Sequence, residues 1–383
     1  MSIKKTADIL SDGIQTGCKI SGGVLRPTLA PVLQNPSVIS TFTFAEYAAG
    51  AKCVFASDGN CTYLSTGGKV FYKAGDIAGD FPFLVEDIYG GKARATFFNG
   101  INAVSYSEGK VNYFTVEKPL SCGVMHCGRL FGVDADDGLK LTWSGEGFEK
   151  LNGEGSIILD PERGEILDLV VFGGKLVAVR KRGLTVLNMY GSPENFSVAI
   201  TDTDTDEILR GTAKTTGGAL IFATSGGLCS FDGNKIKRLG GDISPRGRAA
   251  VYSDRYFIGC DKGVLCYDTR DGLSFYIDIQ ADALCAAEGI FAYTKDGVYT
   301  FEEGSYTFEK KFDFGSGGNK TVTKIYIGGT ADLQISNGRL TRIFSSASGT
   351  VRPNLRGESF TVRLTGSSPV TALNATAEVM DAI

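Results

Sequence analysis

The sequence predicts an all-β fold arranged as a β-propeller, and three observations carry that reading. A glycine-centred hairpin recurs seven times: S-T-G-G-K-V-F-Y around Gly68, S-E-G-K-V-N-Y-F around Gly109, D-D-G-L-K-L-T-W around Gly138, K-R-G-L-T-V-L around Gly183, S-G-G-L-C-S-F around Gly227, D-K-G-V-L-C-Y around Gly263 and K-D-G-V-Y-T-F around Gly297. In each, a polar pair or a glycine makes the turn and an alternating apolar or aromatic run follows. The glycines are spaced 41, 29, 45, 44, 36 and 34 residues apart, a mean of about 38. A period near 40 residues, with several short strands per period and scarcely any helix pattern, marks a propeller blade. The third observation is composition: 51 Gly, 24 Phe and 15 Tyr suit many tight turns between half-buried strands.

Taken in order, residues 1–35 read as an N-terminal arm, because Pro27 and Pro31 follow one short strand and exclude a central-strand position. The propeller is expected over residues 36–314, with blades at about 36–80, 81–117, 118–155, 156–199, 200–244, 245–279 and 280–314. Strands within them include Ile39–Phe44, Ala95–Phe98, Arg129–Val133, Leu167–Phe172, Ala219–Ala223, Arg255–Gly259 and Gly289–Tyr293. The short second spacing and long third leave six blades open beside seven. F-G-S-G-G-N-K at 314–320 reads as a flexible hinge. Beyond it, residues 315–383 hold four or five more period-two runs, either a small β domain or a strand sent back to close the ring.

Formal charge is −4 in 383 residues and evenly spread, which argues against a surface that grips nucleic acid. No secretory signal and no apolar run of about 20 residues is seen, so a soluble chain made in the cytoplasm is expected. Nine cysteines lie mostly in apolar strand-like runs and read as buried thiols, with disulfides as the alternative. The sequons at Asn60, Asn195, Asn319 and Asn374 read as chance.

Candidate chemistry is sparse. His126 is the sole histidine, so any His-based triad must use it, and a multi-histidine metal site within one chain is excluded. Cys122 and Cys127 flank it with opposite strand parity, which favours a structural histidine over a ligand or base. Asp202, Asp204 and Asp206 open like a calcium loop, but Glu207 and Ala213 stand where the glycine and the bidentate acid belong. G-S-G-G-N-K-T at 315–321 falls short of a phosphate loop and reads as linker. The runs V-R-K-R-G-L and N-K-I-K-R-L are basic turns, either solvated or paired with an acidic neighbour in an assembly. The sialidase box is not matched at Asp134–Trp143, the WD dipeptide is missing, and Trp143 is the single tryptophan, so no enzyme and no cofactor is expected.

G-C-K-I-S-G-G-V-L-R-P-T-L at 17–29 is similar to the entry segment of some virion proteins of tailed DNA phages. G-R-L-F-G-V-D-A-D-D-G-L-K-L-T-W-S-G-E-G-F at 128–148, the strand pair at 164–187 and G-S-P-E-N-F-S-V at 191–198 resemble β-propeller proteins of phage tails, of the tail-nozzle or head-completion type. K-I-Y-I-G-G-T-A-D-L-Q-I and L-R-G-E-S-F-T-V-R-L look like the sheet that follows the propeller in that group. The resemblance implies a non-enzymatic virion component of the tail or neck, forming a homo-oligomeric ring around the DNA exit channel as part of the head-tail connector used in genome ejection. Its implied partners are copies of itself, portal or adaptor proteins and other tail proteins. DNA would be a weakly contacted passing polymer, and neither a membrane nor a small molecule is expected. Interface candidates are Arg26, Arg180, Lys181, Arg182, Arg352 and Arg356. A receptor- or glycan-binding propeller of a tail tip is the alternative.

Overall fold

The computed structural model describes residues 2–11, 13–15, 17–33, 52–55, 61–64, 71–73, 83–89, 92–99, 101–107, 110–116, 118–145, 155–199, 204–240, 243–281, 283–286, 289–294, 296–315 and 318–380. Two compact units divide the chain: residues 32–300, and residues 1–31 together with 301–383.

The first unit is a β-propeller. Among the described residues its antiparallel strands fall into seven consecutive sheets. The first comprises Lys52–Phe55, Cys61–Leu64 and Phe71–Lys73. The second runs through Phe83–Tyr89, Lys92–Asn99, Asn102–Ser107 and Lys110–Thr115. Leu120–His126, Arg129–Asp134, Lys140–Trp143 and Gly155–Ile158 form the third. The fourth is Ile166–Phe172, Lys175–Arg180, Gly183–Asn188 and Ser197–Ala199, and the fifth Lys214–Thr216, Ala219–Thr224, Gly227–Phe231 and Ile236–Arg238. The sixth consists of Pro245–Tyr252, Arg255–Cys260, Gly263–Asp268 and Leu273–Ile277. The seventh takes Ala283–Ala286, Ile290–Thr294 and Gly297–Glu303, then borrows Leu29–Leu33 as its outer strand.

First strands of successive sheets are neighbours from Phe83–Tyr89 through Ala283–Ala286, and Ala283–Ala286 also lies beside Lys52–Phe55. That adjacency of last to first is what a closed radial arrangement requires. Seven sheets stand where six or seven were expected. The expected strand Ile39–Phe44 and the turns at Gly68 and Gly109 lie outside the described residues.

Packing between the sheets explains the sequence pattern. On Lys175–Arg180, Leu176 and Ala178 pack with Phe131, Leu141 and Trp143 of the third sheet. The alternate residues Val177 and Val179 pack with Leu220, Phe222 and Phe231 of the fifth. Ile221 and Ala223 then turn to Tyr256 and Ile258 of the sixth. Middle strands are thus covered on both faces, so they read as unbroken apolar runs and not as alternation. Each fully buried aliphatic or aromatic side chain contributes roughly 1.5–3 kcal/mol.

The recurrent glycine has a more specific role than making the turn. Arg180 pairs with Gly183, Thr224 with Gly227, Cys260 with Gly263 and Thr294 with Gly297, each across a two-residue turn. The glycine is the first residue of the third strand, at φ +105°, +128°, +117° and +143° respectively. At Gly263 a Cβ would collide with the Ile277 carbonyl oxygen of the fourth strand. Gly138 departs from the rule, for it lies at negative φ within a longer loop that Asp134 and Asp137 brace by accepting from the Asp136 and Leu139 N–H groups at 3.0 and 3.1 Å.

The second unit corrects the expected division of the chain. Residues 1–31 do not form a separate arm: Ser2–Asp8 pairs with Ala372–Met380, so both ends share one sheet. The sheet order is Ser2–Asp8, Ala372–Met380, Lys320–Ser336, Phe360–Gly366, Tyr306–Phe312, with Thr341–Val351 and Leu355–Gly357 also on Lys320–Ser336. Gly13–Gln15, Cys18–Ser21 and Val24–Pro27 make a small separate sheet. The 17-residue strand Lys320–Ser336 changes partner midway, from Ala372–Met380 to Phe360–Gly366. It does so at Gly328–Gly329, where Gly329 takes φ +136° and a side chain would meet the Pro369 carbonyl at 2.5 Å.

Of the two alternatives for residues 315–383, the structure shows a separate β-sheet and, among the described residues, no strand returned to the ring: the last blade is completed by residues 29–33, and Pro31 is tolerated there because the strand is outermost. One further expectation changes. The stretch 314–320 is not the boundary between units: Tyr306–Phe312 already belongs to the C-terminal sheet, and Phe314 is buried in its core with Phe312 and Phe360.

Candidate functional site

The first strand of each blade bonds on one side only, so its other edge faces the propeller axis. Six of these strands line a cavity of about 460 Å³. Most of its wall is small or apolar: Phe83, Val124, Val170, Ala213, Val251 and Leu284 are representative. Charged side chains enter from three adjacent blades, Asp168 from the fourth, Lys214 from the fifth and Arg248 from the sixth.

Local irregularity aims two of them. The pairing of Ile166–Phe172 slips between Ile166 and Asp168, and that of Pro245–Tyr252 slips between Arg246 and Ala250. Such bulges break the strict alternation of side chains along both strands. Arg248 is further placed by Gly211, at φ +75°: a Cβ there would sit 2.8 Å from the Arg248 Cγ, so the stem occupies space only glycine leaves. The Ala249 N–H donates to the Gly211 carbonyl at 3.0 Å, locking the two segments together.

Asp168 is partly buried on the cavity wall. Desolvation pushes its carboxyl pKa up, and the positive charges of Lys214, Arg248 and Arg210 oppose that rise, as does the Leu169 N–H it accepts at 2.9 Å. Three cations therefore act on this acid. The thiol of Cys122, buried behind the same wall, is pushed up by burial and feels Asp168, Arg210 and Arg248 as well. Nothing in the sequence marked this group, because Asp168, Lys214 and Arg248 lie 34 to 80 residues apart, one per blade.

The sequence candidates fall elsewhere, and one is a correction. Arg180, expected as an interface cation, is fully buried. It donates to the backbone carbonyls of Gly164 and Asp160 and to Thr185 Oγ1, tying the loop before the fourth sheet to its second strand. Its neighbours Lys181 and Arg182 form the exposed turn, where Lys181 lies 3.5 Å from Glu207. Arg26, Arg352 and Arg356 are exposed in the second unit.

His126 is buried at the end of its strand, 6.1 Å from the Phe131 ring, with the Cys127 Sγ 3.5 Å from its Nε2. Burial lowers its pKa. Asp204 and Asp206 are exposed, Asp202 lies outside the described residues, and among the described residues no three acidic, cysteine or histidine side chains group as a metal site. The Trp143 and P-E-N-F stretches meet in packing: Phe196 lies edge-on to Trp143 at 5.2 Å, closing the seam between the third and fourth sheets.

No family model matches this chain, and no curated protein does. Among solved structures it is similar to the β-propeller domain of Cps50 (Swd1) from Myceliophteria thermophila, at TM-score 0.49 and 11% identity over 72% of this chain and 99% of that one. It is similar to the same degree to BBS1N, solved in complex with ARL6, at TM-score 0.49 and 11% identity over 72% of this chain and 96% of that one.

Proposed function

We propose that this protein is a structural, non-catalytic component of a tailed-phage virion that assembles with copies of itself into a ring at the tail or neck. One observation supports assembly most directly. The strand Thr341–Val351 bonds only to Lys320–Ser336 among the described residues, so its outer edge offers backbone donors and acceptors to another chain. Within it Ile343 is 70% exposed, and Leu340 just before it is 55% exposed. A long edge strand with exposed apolar residues is a template for pairing with a neighbour. A second copy is the occupant the reading commits to, because head-to-tail contacts that close by rotation generate rings. The place in a virion rests on the sequence resemblance. A mildly acidic chain around a passage would repel DNA weakly and let it slide.

Mass photometry and negative-stain microscopy of the purified chain, alone and with a portal protein, test this reading. Closed rings are expected, and Ile343→Asp should convert them to monomers with unchanged circular dichroism. A chain that stays monomeric at every concentration, with and without the portal, would overturn the proposal.

A further inference from the structure

We infer that the Thr341–Val351 edge of one copy is received by the Ser2–Asp8 edge of the next, so that the C-terminal sheet continues from chain to chain. This rests on the ring assembly proposed above and supplies the second surface that such a ring requires.

A ring needs two different surfaces. If Thr341–Val351 paired with its own counterpart, the two-fold contact would be complete at two copies and growth would stop. The mate must therefore be another free edge. Apart from Thr341–Val351, two strands of this sheet longer than three residues bond on one side only among the described residues: Ser2–Asp8 to Ala372–Met380, and Tyr306–Phe312 to Phe360–Gly366.

Tyr306–Phe312 is already covered by its own chain. The Glu309 N–H donates to Gln15 Oε1 and the Lys310 ammonium to Ser11 Oγ, both at 2.9 Å. Gly17 packs so near that a Cβ would sit 2.8 Å from the Ser305 carbonyl oxygen. Ser2–Asp8 has no such cover. It pairs along its whole length, from Ser2 opposite Met380 to Asp8 opposite Asn374, and among the described residues no backbone group of residues 3–7 bonds outside that ladder. The alternate N–H and C=O groups of its outer side are left for another strand.

Strand direction agrees. Ser2–Asp8 runs antiparallel to Ala372–Met380, which runs antiparallel to Lys320–Ser336, which runs antiparallel to Thr341–Val351. The two free edges of one copy therefore point in opposite directions. A second copy placed beside the first in the same orientation brings Ser2–Asp8 antiparallel to Thr341–Val351, the more stable of the two pairings. The Ser346 N–H donates to Asp332 Oδ1 at 2.7 Å, which divides the receiving edge into residues 341–345 and 347–351. Exposed isoleucines, Ile3 at 49% and Ile343, lie on the meeting strands, so joining them removes apolar surface from water. Arg342 is the one ionisable side chain of Thr341–Val351; on the other strand Lys4 stands opposite Glu378 and the Lys5 ammonium donates to the Phe314 carbonyl, so each lysine has a counterpart in its own copy.

The test mixes two full-length variants, each blocked at one edge, and follows mass by sedimentation velocity. Ile343→Asp blocks the Thr341–Val351 side. Proline blocks the other side where the replaced N–H points outward, which alternation makes true of one of any two neighbours. Of Lys5→Pro and Thr6→Pro, the one that keeps the parental circular dichroism and melting temperature is used, with Ile3→Asp in their place if neither folds. Each blocked variant alone is expected to be monomeric. The mixture is expected to form two-chain species holding one chain of each kind, because a single intact pair of edges remains between them. Rings that persist in the folded Ser2–Asp8 variant would overturn the inference and leave ring assembly standing, and so would a mixture that stays monomeric. Filaments of the parent chain that both variants dissolve would support the edge pairing and overturn the ring. A parent that is monomeric, or that stops at a two-fold dimer, overturns both.

Discussion

Gly263 shows how a single residue can be required by its surroundings and not by its turn. It begins a strand at φ +117°, a conformation that L side chains rarely adopt, and its missing Cβ makes room for the Ile277 carbonyl. Gly263→Ala should therefore cost roughly 2 kcal/mol or more, read as a lowered urea midpoint. Gly240→Ala, where a Cβ would meet nothing within 4 Å, should leave the midpoint nearly unchanged. His126 makes the second residue-scale prediction. Burial holds its pKa below the ordinary 6.5, so as pH falls the unfolded chain takes up the proton first. Stability is then lost progressively from about pH 6.5 downward to the folded-state value. Thermal melts of His126→Phe should show a flatter pH dependence in that window than the parent chain, while the two run parallel above pH 7.5. Arg180 and Asp268 belong to the same scale. Each is a fully buried charge whose partners are local, Asp268 holding Arg270 at 2.6 Å and Arg255 at 3.2 Å, so each fixes a turn and leaves no charge for a surface.

At the scale of elements, the outer strand Leu29–Leu33 governs closure of the last blade. It covers an edge that Gly297–Glu303 would otherwise expose, and the Gly304 N–H donates to the Thr28 carbonyl at 3.1 Å where the two strands enter register. Leu29 is buried, so Leu29→Asp would place a charge in apolar packing and detach the strand. Hydrogen exchange should then accelerate at the amides of 297–303 while those of 219–231 keep their protection, because the latter are covered by intact sheets on both sides. Uniform acceleration would mean that the blades open together and that closure is not local. The seven-fold spacing of glycines and the apolar runs made these elements legible in advance, since both follow from the same hairpin repeated. The origin of the closing strand was not legible. Leu29–Leu33 carries no feature that distinguishes an outer strand of blade seven from an arm; Pro27 and Pro31 say only that it is not central.

For the molecule as a whole, both chain ends meet in one β unit, and the propeller is a continuous insertion between them. The proposed ring assembly belongs to this scale, and in that proposal the exposed edge strand Thr341–Val351 is the contact with a second copy. Of the basic candidates, Arg180 is internal and Lys181 has an acidic neighbour within its own chain. The axial cavity was equally invisible. Its charged residues are each unremarkable in a linear reading, and their grouping depends on blade order and on two register slips.

Sequence alone determined the fold class, the blade period and the scarcity of helix pattern, because hairpins and two-sided strand burial are local or near-local consequences of turn chemistry and side-chain alternation. Tertiary structure decided where each charge ends up, which strand closes the ring and how the two ends combine. Those outcomes turn on contacts between residues far apart in the chain, and a shift of one position in strand register moves a side chain from one face of a blade to the other.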